Sequence, residues 1–155
     1  SWHSVISHLN YDSPETYEVI EWILSQPDCD ALLALRAFDY LEGHCFCALS
    51  ASDKYVGSSK EVALVRLIAE REKSGPQYKS DLKCDYLSRG GLNVDELIEK
   101  ARVAQSELKA GELPAAEIPV HTLKAAGRGK LPLEEYSVDE CGILALPKSQ
   151  AAILN

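Results

Sequence analysis

The run His44-Cys45-Phe46-Cys47 places one imidazole and two thiols within four positions, the densest reactive chemistry in the chain. Such a group could ligate zinc, or set a cysteine nucleophile beside a histidine base. Zinc sites built on cysteine use Cys-x-x-Cys or wider spacings and need a second pair of ligands. Here a single residue separates the thiols, and Cys29, Cys84 or Cys141 would have to complete the set. A Cys-His dyad requires hydrogen-bond reach between the two groups. Adjacent residues usually point in different directions, so His44 and Cys45 are not expected to share a proton. The remaining histidines, His3, His8 and His121, are scattered, and no spacing sets a base beside a nucleophile. The basic residues Lys124, Arg128 and Lys130 surround Gly127 and Gly129 but lack the residue order of a phosphate-binding loop. The sequence therefore predicts no enzyme, no cofactor and no metal. A metal-dependent enzyme through His44, Cys45 and Cys47 is the weaker alternative.

Charge says more than reactive groups. The chain has a net charge of −8, and residues 1 to 50 alone carry −7, with Arg36 as their one base. Phosphate backbones are bound by Lys and Arg that displace counterions, so nucleic acid is not expected as a partner. A basic protein is, since complementary charge speeds encounter. Five cysteines, an odd number, and an opening without a basic, apolar leader predict free thiols in a reducing, cytoplasmic setting. No apolar run reaches the roughly 18 residues that would span a bilayer, and no membrane partner is expected.

These charges must be positioned by helices. Ser13-Pro14-Glu15 is a start signal, with serine as the cap and proline at the first helical position. Beyond it Thr16, Tyr17, Val19, Ile20, Ile23 and Leu24 share one side of a helix, with Glu15, Glu18 and Glu21 on the other and Trp22 projecting among the glutamates. From Asp30 to Glu42 the residues are apolar nearly all round, which belongs at the centre of a bundle. Asp28 or Asp30 caps that helix, and Gly43 sits where a left-handed C-cap is expected. Ser58 with Glu61 forms a capping-box pattern for a helix from Lys60 to Lys73, with Leu67 as an exposed contact. Asn93 with Glu96 repeats the pattern for an amphipathic helix whose stripe is Val94, Leu97, Ile98, Ala101, Ala104 and Leu108. That narrow, alanine-rich stripe suits packing on another helix, within the domain or across a homodimer. From Glu112 to Glu135, Pro114, Pro119, Gly127, Gly129 and Pro132 punctuate an irregular arm.

The set Asn10-Tyr11-Asp12, Glu18-Val19, Pro27-Asp28-Cys29-Asp30, Ala34-Leu35 and Phe38 resembles a bacterial domain-of-unknown-function family, serial number 4274, over residues 3 to 75. In that family an Asn-aromatic-Asp segment leads into one helix, and a Pro-x-Cys-Asp turn leads into a second. Leu32 and Leu33 stand where the family usually has a small residue and a threonine. Physically, the proline stops one helix, the cysteine packs under the corner and Asp30 caps the next helix.

Together these readings predict an all-α, single-domain helical bundle around a buried helix at 30–42. The helical part spans 1–111, and the 112–155 arm packs on it. The expected function is protein binding, in its concrete form a bacterial immunity protein that neutralises a basic toxin domain. Tyr11, Asp12, Glu15, Glu18, Glu21, Trp22, Asp39 and Glu42 are the candidate contact residues. The alternative is a homo-oligomeric structural or regulatory domain that associates through the Val94 to Leu108 stripe.

Overall fold

Asp30 anchors the centre of the fold. One carboxylate oxygen accepts the Leu32 backbone N–H at 2.9 Å and the other accepts that of Asp81 at 2.9 Å. The first contact satisfies a donor that a helix start leaves open. The computed structural model describes Ile6, Leu9, residues 13–81 and residues 93–126. Among these residues the fold is all-α: α1 (Glu15–Ser25), α2 (Ala31–Tyr40), α3 (Gly43–Cys47), α4 (Lys60–Ser74), α5 (Val94–Ser106) and α6 (Val120–Ala126). Pairing of β type is confined, among the described residues, to isolated bridges at Asp30–Lys79 and Ser50–Pro114.

Helix α2 is the buried centre that its composition predicts. Ala31, Leu32, Ala34, Leu35, Ala37 and Phe38 are fully enclosed, against α6, α3 and α1. Burying a large aliphatic or aromatic side chain contributes about 1.5–3 kcal/mol, so this one helix concentrates much of the hydrophobic stabilisation. Helix α1 adds Thr16, Ile20, Ile23 and Leu24 from its inner side, and α4 adds Val62, Leu64, Val65, Ile68 and Ala69. Asn93 and Glu96 form the reciprocal capping box at the start of α5.

Four local expectations change. Helix α2 stops at Tyr40, and the left-handed residue at its end is Glu42, with φ 54, in place of Gly43. Gly43 opens α3, where a Cβ would lie 2.5 Å from the Phe38 ring. Its glycine answers to close packing. The cap of α4 is Ser59, one residue later than expected, accepting from the Val62 N–H at 3.2 Å. Ser13 does not cap α1 through its side chain; it donates to the Glu15 carboxylate, while its carbonyl accepts the Thr16 N–H at 3.1 Å.

The largest correction concerns the arm. Its residues Val120–Ala126 form α6, which buries Thr122, Leu123 and Ala126 and packs chiefly on α2. A helix this short is unstable alone and is held by tertiary burial, which is why proline and glycine punctuation hid it. The amphipathic stripe of α5 is likewise used inside the chain. Val94, Leu97, Ile98 and Ala101 are buried as α5 packs on α3 and α6, while Ala104 and Leu108 of the same stripe are half-buried.

Candidate functional site

Helix α1 carries the candidate residues the structure brings together. Helical geometry, at about 100° per residue, sets Glu15, Glu18, Glu21 and Trp22 on its outer side. All four are exposed, Trp22 by 56%. Trp22 is one turn beyond Glu18 and adjoins Glu21, and its own carbonyl accepts the Gln26 side-chain amide at 2.9 Å. Glu15 has its carboxyl held below the usual range by Ser13, by its own backbone amide and by nearby Lys60, against a small opposing effect of burial.

The inner boundary of this face is set by α4. Tyr17 donates its hydroxyl to Glu61 at 2.8 Å, and farther along Arg71 donates to the Leu24 carbonyl at 2.6 Å. Early residues meet early and late meet late, so α1 and α4 run side by side in the same direction. Between their outer edges lies a groove of about 560 Å³, with Glu18 and Glu21 on one wall and Glu70 on the other.

Other candidates fall elsewhere. Asp39 is only 7% exposed, turned into the bundle by the apolar helix that carries it, and cannot serve as a surface contact. Glu42 is exposed at the corner between α2 and α3, and its charge, with that of Asp39, acts on His44. Tyr11 and Asp12 lie outside the described residues, as do His3, His8, Cys84, Cys141, Arg128 and Lys130.

The cysteine and histidine run divides. Cys47 is fully buried, and burial pushes its thiol up to about 12, with a smaller contribution from Cys45. Cys45 is exposed, and its Sγ lies 3.3 Å from His44 Nε2. Contrary to expectation, the adjacent side chains do meet. Their electrostatics work against an activated pair, however. Desolvation, then Glu42, raises the Cys45 thiol, while desolvation, then Lys100, lowers the His44 imidazole. Both groups favour their neutral forms, and a nucleophilic thiolate is disfavoured. No group of three or more His, Cys, Asp or Glu suited to a metal ion occurs among the described residues.

The turn from Pro27 to Asp30 works as a structural device. Cys29 is fully buried with its thiol pushed up to about 12, chiefly by burial. Beside it lies a residue that sequence reasoning missed, Arg71. The residue is 7% exposed, and its guanidinium donates to the carbonyls of Leu24, Gln26, Pro27 and Pro76 at 2.6, 2.7, 3.3 and 2.8 Å. It also stacks 4.0 Å from the centre of the Tyr78 ring. The signal was present, since Leu64, Ile68 and Arg71 share the i, i+4, i+7 spacing of one helix face.

Residues 1–72 match the family model described as Domain of unknown function (DUF4274). The resemblance carried by the Asn10 segment and the Pro27 to Asp30 turn is therefore borne out over a stretch holding α1, α2, α3 and most of α4. No curated protein and no solved structure matches the chain. No helix among the described residues is long and apolar enough to cross a membrane.

Proposed function

We propose that the chain is a non-enzymatic binding module that holds a basic protein through the outer side of α1. Its concrete form is a bacterial, cytoplasmic immunity protein that neutralises a toxin domain. One observation carries this reading: Trp22 is 56% exposed among Glu15, Glu18 and Glu21. Tryptophan is enriched among the few interface residues that supply most binding energy. Surrounding charge raises the rate of encounter and fixes register. The −7 charge of residues 1 to 50 favours a cationic partner over nucleic acid. If that partner is a nuclease, the carboxylates occupy the places its basic cleft offers to phosphates.

The test is capture from the source lysate at low and moderate salt, with bound proteins identified by mass spectrometry. One basic protein, released as salt rises and absent with a Glu18→Lys/Trp22→Ala variant, supports the reading. Equal capture by the variant and the parent chain refutes it.

A further inference from the structure

The α1/α4 groove has its own chemistry, distinct from that of Trp22. Its floor is apolar, made by the Tyr17 ring, Leu64, half-buried Leu67 and exposed Ala63. Its walls carry Glu18 and Glu21 from α1 and Glu70 from α4, which make no ion pair among the described residues. Two bases, Lys60 and Arg66, border the same groove. Lys60 stands at the N-terminal end of α4, where its charge acts on Glu15. Arg66 has its Nε engaged with the Ala115 carbonyl, beside a neighbouring depression that Arg66 and Glu70 also line. Three carboxylates against two bases leave the groove a small acidic excess over its apolar floor.

Two helices running side by side present ridges with the spacing that a third helix can enter. Glu18 and Glu21 are one turn apart, as are Leu64 and Leu67. A guest helix with aliphatic residues at i, i+3 and i+4 would set them on that floor. Its flanking lysines and arginines would then reach carboxylates on both walls.

We propose that this groove receives a basic amphipathic helix of a partner protein, with lysine or arginine paired to Glu18, Glu21 and Glu70 and aliphatic side chains seated on Leu64 and Leu67. The inference rests on the reading of α1 as a binding face and names the part of the partner that it would hold. Trp22, on the side of α1 turned away from α4, then touches a second element of the same partner.

The probe is a synthetic leucine and lysine amphipathic helix of about 15 residues, roughly four turns, titrated into the isotopically labelled full chain. Amide shifts at Tyr17, Glu21, Ala63, Leu67 and Glu70 are expected. Affinity should fall about tenfold or more in both Glu21→Lys/Glu70→Lys and Ala63→Arg. These positions are exposed or nearly so, and an unchanged melting temperature verifies that the variants fold. A matched leucine and glutamate peptide should not bind. Absence of binding, shifts confined to other helices, or an affinity indifferent to these variants overturns the proposal. A captured partner lost by Glu18→Lys/Trp22→Ala yet kept by Ala63→Arg and Glu21→Lys/Glu70→Lys refutes the groove and leaves the α1 reading standing. A partner kept by all of them refutes both.

Discussion

Arg71 donates from Nη1 to the carbonyl oxygen of Leu24 at 2.6 Å, across 47 positions of sequence. This bond ties the C-terminal turn of α4 to the end of α1. With the bonds to Gln26 and Pro27 it satisfies carbonyls where the chain turns toward α2, and with that to Pro76 a carbonyl just beyond α4. Replacing Arg71 by Met keeps an aliphatic stem but strands these acceptors, and a buried acceptor left open costs about 1–3 kcal/mol. Urea unfolding of Arg71→Met should show a loss of about 3 kcal/mol with an unchanged slope. A loss below about 0.5 kcal/mol, the size of an ordinary surface change, would show that the clamp is not needed.

Gly43 and Gly57 separate packing from backbone freedom. A methyl group at Gly43 would meet Phe38 at 2.5 Å, whereas nothing lies within 4 Å of one at Gly57. Overpacking of a filled interior costs about 1–3 kcal/mol, so Gly43→Ala should lower the melting temperature. Gly57→Ala should leave it unchanged or raise it, through a less flexible unfolded chain. Thermal unfolding of the two variants side by side checks the contrast.

Tyr17 and Glu61 should leave opposite marks on pH dependence. Burial raises the Glu61 carboxyl but is outweighed by hydrogen bonds from its own backbone, Tyr17 and Ser59, so it ionises below its ordinary value of 4.5. That stability is present above 4.5 and is lost as pH falls through the lower folded value. The Tyr17 phenol is raised from 10.0 to about 12, first by its bond to Glu61 and then by burial. Its contribution is complete below 10.0 and is lost as pH rises through about 12. Tyr17→Phe should flatten both limbs of a stability profile, and one late phenol ionisation should vanish from the ultraviolet titration while that of Tyr78, raised chiefly by burial, remains.

The described thiols should react in a fixed order. Cys45 is exposed while Cys29 and Cys47 are buried. Iodoacetamide followed by peptide mass spectrometry should label Cys45 first and slowly at neutral pH, with Cys29 and Cys47 labelled only on unfolding. Because the His44 imidazole favours its neutral form, His44→Ala should change the Cys45 rate by no more than about twofold. A tenfold slowing would mean that His44 does activate the thiol.

What the sequence makes legible follows from the range of each interaction. The all-round apolar character of Ala31 to Phe38 marks a central helix, and Asn93 with Glu96 marks a helix start, because both signals are local. The outer side of α1 is legible for the same reason, since Glu18, Glu21 and Trp22 are placed by the helical period alone. Asp39 fails as a contact residue because its neighbours on α2 drag it inward. Helix α6 depends on partners far along the chain, and no local pattern specifies it; the helical period places Arg71 on the buried face of α4 but not the carbonyls at the end of α1 that it clamps. The groove belongs to two helices separated by more than thirty residues, so its acid from α4, Glu70, could not be joined to those of α1 in advance.

The most direct test of the central claim is calorimetric titration of the captured basic partner into the parent chain and into Glu18→Lys/Trp22→Ala, at low and moderate salt. The expected result is a loss of about a hundredfold or more in affinity for the variant, as removal of an interface anchor and reversal of its charge require, together with a weaker salt dependence. Equal affinities for the two proteins, with both folded, would contradict the account.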